Sequence, residues 1–150
     1  MLKKFVTNMF FVNPANKLSY AQLIEKLYES KKNLTETFKA KADSSKNREV
    51  ITHIIGIERW SQTRLAVFLG TPMPKDEYDG YRPSSNVTKA KLIDLFTHTR
   101  DHTLAICQQL ATLDIPASQT VNHNQYDAFN SKSWMYYMLV HSNLESKKMR

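Results

Sequence analysis

One cysteine, three glycines and no long apolar run set the first limits on this chain. A lone cysteine, Cys107, excludes an internal disulfide framework and fits a reducing cytoplasm. So little glycine argues against a turn-rich β fold. No apolar stretch approaches the ~20 residues that a membrane-spanning helix needs. The opening MLKKFVTNMFFV resembles a secretory leader only briefly, because Thr7 and Asn8 interrupt its apolar part and no small-residue cleavage site follows. It reads as part of the mature protein. A Gly-rich phosphate loop, a Gly-x-Ser-x-Gly elbow and a CxxC pair are all missing.

What is present is enough for a core. With 150 residues and 41% hydrophobic content, residues 1–150 read as one domain. The net charge is +7, which raises the question of nucleic acid. The lysines are dispersed, as at Lys3-Lys4, Lys31-Lys32, Lys89, Lys91 and Lys147-Lys148. No segment has the form of a basic recognition helix or an aromatic–basic stacking surface. A solvated cationic surface is expected, with neither nucleic acid nor membrane as partner.

Hydrophobic periodicity predicts four long helices. The first spans about residues 19–41, capped by Ser19 or Asn16, with Tyr20, Leu23, Ile24, Leu27, Leu34 and Phe38 on one face. The second spans about residues 47–69 and is closed by Gly70 and Pro72. Its inner face is Val50, Ile54, Ile57, Ser61, Leu65 and Phe68, with His53, Trp60 and Arg64 on one flank. Residues 71–86 hold three prolines and form a loop long enough to act as a lid, with Tyr78, Tyr81 and Arg82 as its notable side chains. The third helix spans about residues 87–113 behind an Asn86 cap, with Leu92, Phe96, Thr99, Thr103, Ile106 and Leu110 inward. A second long loop, residues 114–131, carries His123 and Tyr126. The fourth helix begins near Ser131 or Ser133. Four helices of ~30 Å imply an all-α four-helix bundle with long connecting loops.

Chemistry is concentrated in the last helix. Trp134, Tyr137, Met138 and Leu144 share a stripe, and His141 and Glu145 fall within it. A carboxylate facing the core needs a compensating cation, which could be Arg64, a proton or a metal ion. Side chains at i and i+4 project side by side and can hold one ion together. His53, from the second helix, would complete a three-ligand set with open positions for water or substrate. Zn, Ni and Fe(II) all accept two histidines and a carboxylate. A different reading pairs His141 with a Tyr or a backbone carbonyl and Glu145 with Arg64. The His98–His102 pair has the same spacing but lies off the inner stripe, so His98 is expected in solvent and His102 at the core border. Cys107 reads as buried packing, and His123 as a loop histidine. Trp60, Trp134 and Tyr137 read as core aromatics that also wall the site.

Three segments resemble the DinB-like (DinB/YfiT-like) superfamily of metal-binding four-helix bundles. They are His53-Ile-Ile-Gly-Ile-Glu58-Arg-Trp60, the stretch Phe96 to Leu104 around Arg100, and His141-x-x-x-Glu145. The resemblance spans nearly the whole chain. It implies a divalent metal, often nickel or zinc, on a second-helix histidine and two last-helix histidines. His53 and His141 match the first two. Glu145 stands where the family has its third histidine, and Ser146-Lys147-Lys148 stands where many members continue Arg-Gly-Gln. The resemblance further implies homodimers and thiol-dependent transfer, isomerisation or hydrolysis.

Two functions therefore stay open. The first is a cytoplasmic enzyme of thiol-transferase or hydrolase type, with a divalent cation on His53, His141 and Glu145. A small thiol or electrophile would then enter past Tyr81 and Arg82, with Trp60, Arg64, Trp134 and Tyr137 as further pocket candidates. The second is a metal-free, non-catalytic homodimer that binds a ligand or serves a stress response.

Overall fold

The computed structural model describes residues 1–150, and most of them are helical. The opening segment is a helical run: α1 (Leu2–Thr7), a π turn (Asn8–Val12) and α2 (Asn13–Asn16). It packs inward through Thr7, Phe11 and Ala15. Four long helices follow: α3 (Tyr20–Ala40), α4 (Ser45–Val67), α5 (Lys89–Ala111) and α6 (Ser131–Ser146). None is long and apolar enough to cross a membrane.

Polar caps set the helix starts. Ser19 accepts from the Gln22 amide while the Gln22 side chain accepts from the Ser19 amide, a reciprocal capping box. Ser44 caps α4 and Thr88 caps α5, so these helices begin two residues away from the sequence expectations of 47 and 87. Asn130 caps α6. The chain leaves the α4 region through Gly70, whose φ of 97° suits a residue without Cβ. The 114–131 segment is not wholly loop. Val121–Asn122 pairs antiparallel with Ala128–Phe129, a ribbon too short to display strand periodicity in sequence.

The consecutive helices α3 and α4 do not lie side by side. Each packs instead against both α5 and α6. The inner faces of α3 and α5 fill as predicted, whereas α4 is buried nearly all round from Ile51 to Leu65. The apolar core divides in two along the helices. One cluster contains Leu23, Leu27, Trp60, Leu65, Leu104 and Trp134. The other contains Leu34, Phe38, Ile51, Ile54, Leu92 and Phe96.

Between the clusters lies a polar layer. Arg100, fully buried on α5, donates from Nε to Glu58 Oε1 at 2.6 Å and from Nη2 to Oε2 at 3.0 Å. It also donates to the Leu27 carbonyl at 2.9 Å and the Ser142 hydroxyl at 3.1 Å. Thr103 donates to Glu58 Oε1 at 2.8 Å. A buried charge pair is tolerated when its remaining donors and acceptors are filled, which is the case here. Removing one partner leaves an uncompensated charge in a low-dielectric interior. Glu58→Ala is therefore expected to destabilise the fold by about 3–5 kcal/mol in urea unfolding, and adding Arg100→Met to Glu58→Leu should recover part of that loss.

Candidate metal centre

His53 from α4 converges with His141 and Glu145 from α6. One ligand atom from each lies within 4.8 Å of the other two. The two Nε2 atoms are 3.2 Å apart, and Glu145 Oε2 is 3.9 Å from His53 Nε2. Ligands about 2.0–2.2 Å from a common ion stand about 3.0–3.5 Å apart, so the histidine pair already has that spacing. The carboxylate stands farther off than that spacing. The donor types suit a divalent cation, and the group could hold one once the carboxylate draws inward.

All three side chains are half-buried rather than central to the core. Leu144, expected on the same inner stripe, is exposed. The stripe turns outward at this end of α6, and His141 and Glu145 border a cavity of about 310 Å³. Aromatic residues, including Phe11, Trp60, Tyr126 and Tyr137, make about half of the rest of its wall, beside the polar Asn124 and Gln125.

The electrostatics suit ligation. Burial pushes His141 down to about 4, with the neighbouring His53 adding to the effect. Burial likewise lowers His53, against the raising effect of Glu145. Burial acts to raise Glu145, but Lys148 and the two imidazoles outweigh it and hold the carboxyl below its usual value. At neutral pH the group is two neutral imidazoles and one carboxylate.

Two side-chain cations already touch these ligands. Lys148 Nζ is 2.8 Å from Glu145 Oε1. Arg82 Nη2 is 2.9 Å from His53 Nδ1. A guanidinium only donates, so Nδ1 accepts and the His53 proton sits on Nε2, facing His141. Gly56 permits this contact: a Cβ there would come within 3.2 Å of Arg82 Cα and Cγ. The loop closes onto α4 because position 56 has no side chain.

The remaining sequence candidates separate. Trp60 and Tyr137 line the cavity, and Trp134 lies fully buried behind them. Arg64 does not reach Glu145. It pairs with Asp76 at 2.7 Å and lies 4.5 Å over the Trp60 ring. Tyr81 donates to the same Asp76 and faces a different depression. His98 and His102 are both exposed, and His102 reaches Gln62 Oε1 at 3.2 Å rather than bordering the core. Cys107 is buried, and burial drives its thiol up to about 12.

His123 overturns the expectation of a plain loop histidine. It is only 5% exposed and stacks on Trp134 with centroids 5.2 Å apart. Its Nδ1 accepts from the amides of Gln125 and Tyr126 at 3.0 and 3.3 Å. Loop residues carry no periodicity, so only the nearby Tyr126 and Phe129 hinted at an aromatic setting.

Burial lowers His123 to about 3, with Arg64 contributing. Its ordinary value of 6.5 applies in the unfolded chain. Between those values the unfolded state binds a proton that the native state refuses, so stability falls as pH drops from 6.5 towards 3. His123→Phe should flatten the slope of unfolding free energy against pH, measured by urea titrations from pH 7 to pH 4, by up to about one proton.

Family models, curated proteins and solved structures offer no match to this chain.

Proposed function

We propose that the protein is a divalent-metal-dependent enzyme on a DinB-like four-helix bundle, of thiol-transferase or hydrolase type. One observation carries the reading: His53, His141 and Glu145 bring their ligand atoms together at the wall of an aromatic cavity. Zn, Ni and Fe(II) all suit this donor set. A bound cation would supply Lewis acidity and lower the pKa of a water or thiol. Glu145 brings the single negative charge, and the neutral imidazoles leave the occupied site cationic overall. The cavity is large enough for a small substrate and leaves the ligand set partly open to solvent. Cys107 is buried and protonated, so any thiol must arrive with the substrate. The protein works in the cytoplasm as a homodimer in this reading, following the family resemblance.

A second reading is a non-catalytic, metal-free homodimeric bundle that binds a ligand or serves a stress response. It is favoured by the contacts of Lys148 with Glu145 and of Arg82 with His53, which partner two of the three ligands without an ion.

Elemental analysis of protein purified without chelator separates the two. The first reading expects about one equivalent of Zn, Ni or Fe per chain, lost in His141→Ala and in Glu145→Ala. It also expects chelation to lower the melting temperature, because an ion that binds only the native state stabilises it. No metal after incubation with each ion, and identical melting with and without chelator, would select the second reading.

Arg82 provides a sharper check. Coordination through His53 Nε2 moves that ring's proton to Nδ1, where Arg82 now donates. Metal-bound histidines ordinarily donate their other N–H to an acceptor. Arg82→Gln replaces a donor with a side chain that also accepts. It should raise Zn²⁺ affinity several-fold in competition with a fluorescent chelator.

A further inference from the structure

Three buried N–H groups have no partner in the protein: Arg64 Nε, Trp60 Nε1 and His123 Nε2, of which the last two belong to neighbouring rings. Trp60 is 1% exposed and His123 is 5% exposed. Their rings meet edge-on with centroids 5.0 Å apart, and both side chains line the aromatic cavity. An indole nitrogen can only donate. The His123 ring is fixed as a donor at Nε2, because its Nδ1 already accepts two backbone amides. The pair is therefore permanent and uncharged. Buried donors without an acceptor are rare in native proteins and call for an explanation.

Charge narrows what the acceptor is. No Lys or Arg lines the cavity, and Lys148 meets the charge of its one carboxylate, Glu145. Arg64, over the Trp60 ring, is paired with Asp76 through Nη1 while its Nε has no partner, and it lines a separate depression that Trp60 and His123 also border. Such a cavity favours a neutral oxygen over an anionic one when no ion is bound. The aromatic walls favour an apolar body attached to that oxygen.

We infer that Trp60 Nε1–H and His123 Nε2–H form a two-donor subsite for the carbonyl oxygen of a small, uncharged ligand with an aromatic or apolar body. The subsite names a ligand class for the cavity of the proposed enzyme, but it rests on the donor pair and not on the ion. A carbonyl oxygen bound by both donors would be oriented within the cavity. The donors would also favour charge that develops on that oxygen during a reaction.

The test uses the full chain after chelator treatment, so that a failure of ion binding and a failure of the subsite remain separate. Benzamide is titrated while the Trp60 and His123 side-chain N–H signals are followed by ¹H–¹⁵N NMR, with toluene as the oxygen-free control and benzoate as the anionic one. Both signals should move downfield and saturate with benzamide, and toluene should leave them nearly in place. Benzoate should bind less tightly than benzamide. Trp60→Phe keeps an aromatic ring and removes the donor, and should weaken benzamide at least tenfold while sparing toluene. Unmoved N–H signals, or undiminished benzamide binding in Trp60→Phe, would overturn the subsite and mean that the two N–H groups rest against neighbouring aromatic faces. The wild-type signals decide the question even if Trp60→Phe fails to fold.

Discussion

The buried Arg100–Glu58 pair is the interaction on which the rest of the structure depends. Its guanidinium spans α5 and α4 through two parallel hydrogen bonds, and it also reaches an α3 carbonyl and an α6 hydroxyl. Apolar clusters on either side can slide at small cost, because dispersion and burial are not directional. A bidentate ion pair cannot slide without leaving a charge unpaired. The layer therefore fixes the axial register of all four long helices at one level. That register sets the site. Ser142, which receives Arg100, follows His141 directly, and Glu58 lies five residues beyond His53 on α4. The convergence of α4 and α6 ligands is a consequence of the same clamp.

The cavity lies beside this clamp and owes its shape to parts of the chain outside the four helices. Phe11 comes from the opening helical run, and Tyr126 and His123 come from the ribbon segment. Thr7 Oγ1 accepts the Asp127 amide at 3.0 Å and ties those two pieces together. The long helices supply the candidate ligands together with Trp60 and Tyr137, and the additions supply further aromatic wall. A half-buried ligand set with one open side is suited to exchange with a small molecule, whereas a site sealed in the core would only hold the fold.

Much of the fold was legible because amphipathic helices announce themselves by period. The buried positions of α3 and α5 follow their apolar spacing closely. α4 does not, because it is buried on nearly every side and its polar residues Glu58, Gln62 and Arg64 are inside with partners. A polar residue in a buried helix looks the same in sequence as one facing solvent. The grouping of His53, His141 and Glu145 was legible from i, i+4 spacing and a histidine on a neighbouring stripe. The placement of Leu144 outside the core was not, since the stripe turns with the end of α6. Helical position leaves Arg64 open as one possible partner of Glu145, and the structure pairs it with Asp76 in the loop instead. Partners in loops have no period, which is also why the buried place of His123 was missed.

The cations around the ligand set bear on how the site is held. Arg82 reaches His53 from the 71–86 loop, and Lys148 reaches Glu145 from just beyond α6. Each occupies the side of a ligand that an ion at the centre would leave or repel. A divalent cation would add positive charge beside both, and His53 would have to turn its remaining N–H towards a donor. Loss of the Arg82 contact would in turn remove one hold of the loop on α4. Gly56 allows that contact, yet nothing in a glycine holds Arg82 there once the hydrogen bond is gone. Ion occupancy and loop position are thus linked through a single imidazole, with the direction set by which of its nitrogens carries the proton.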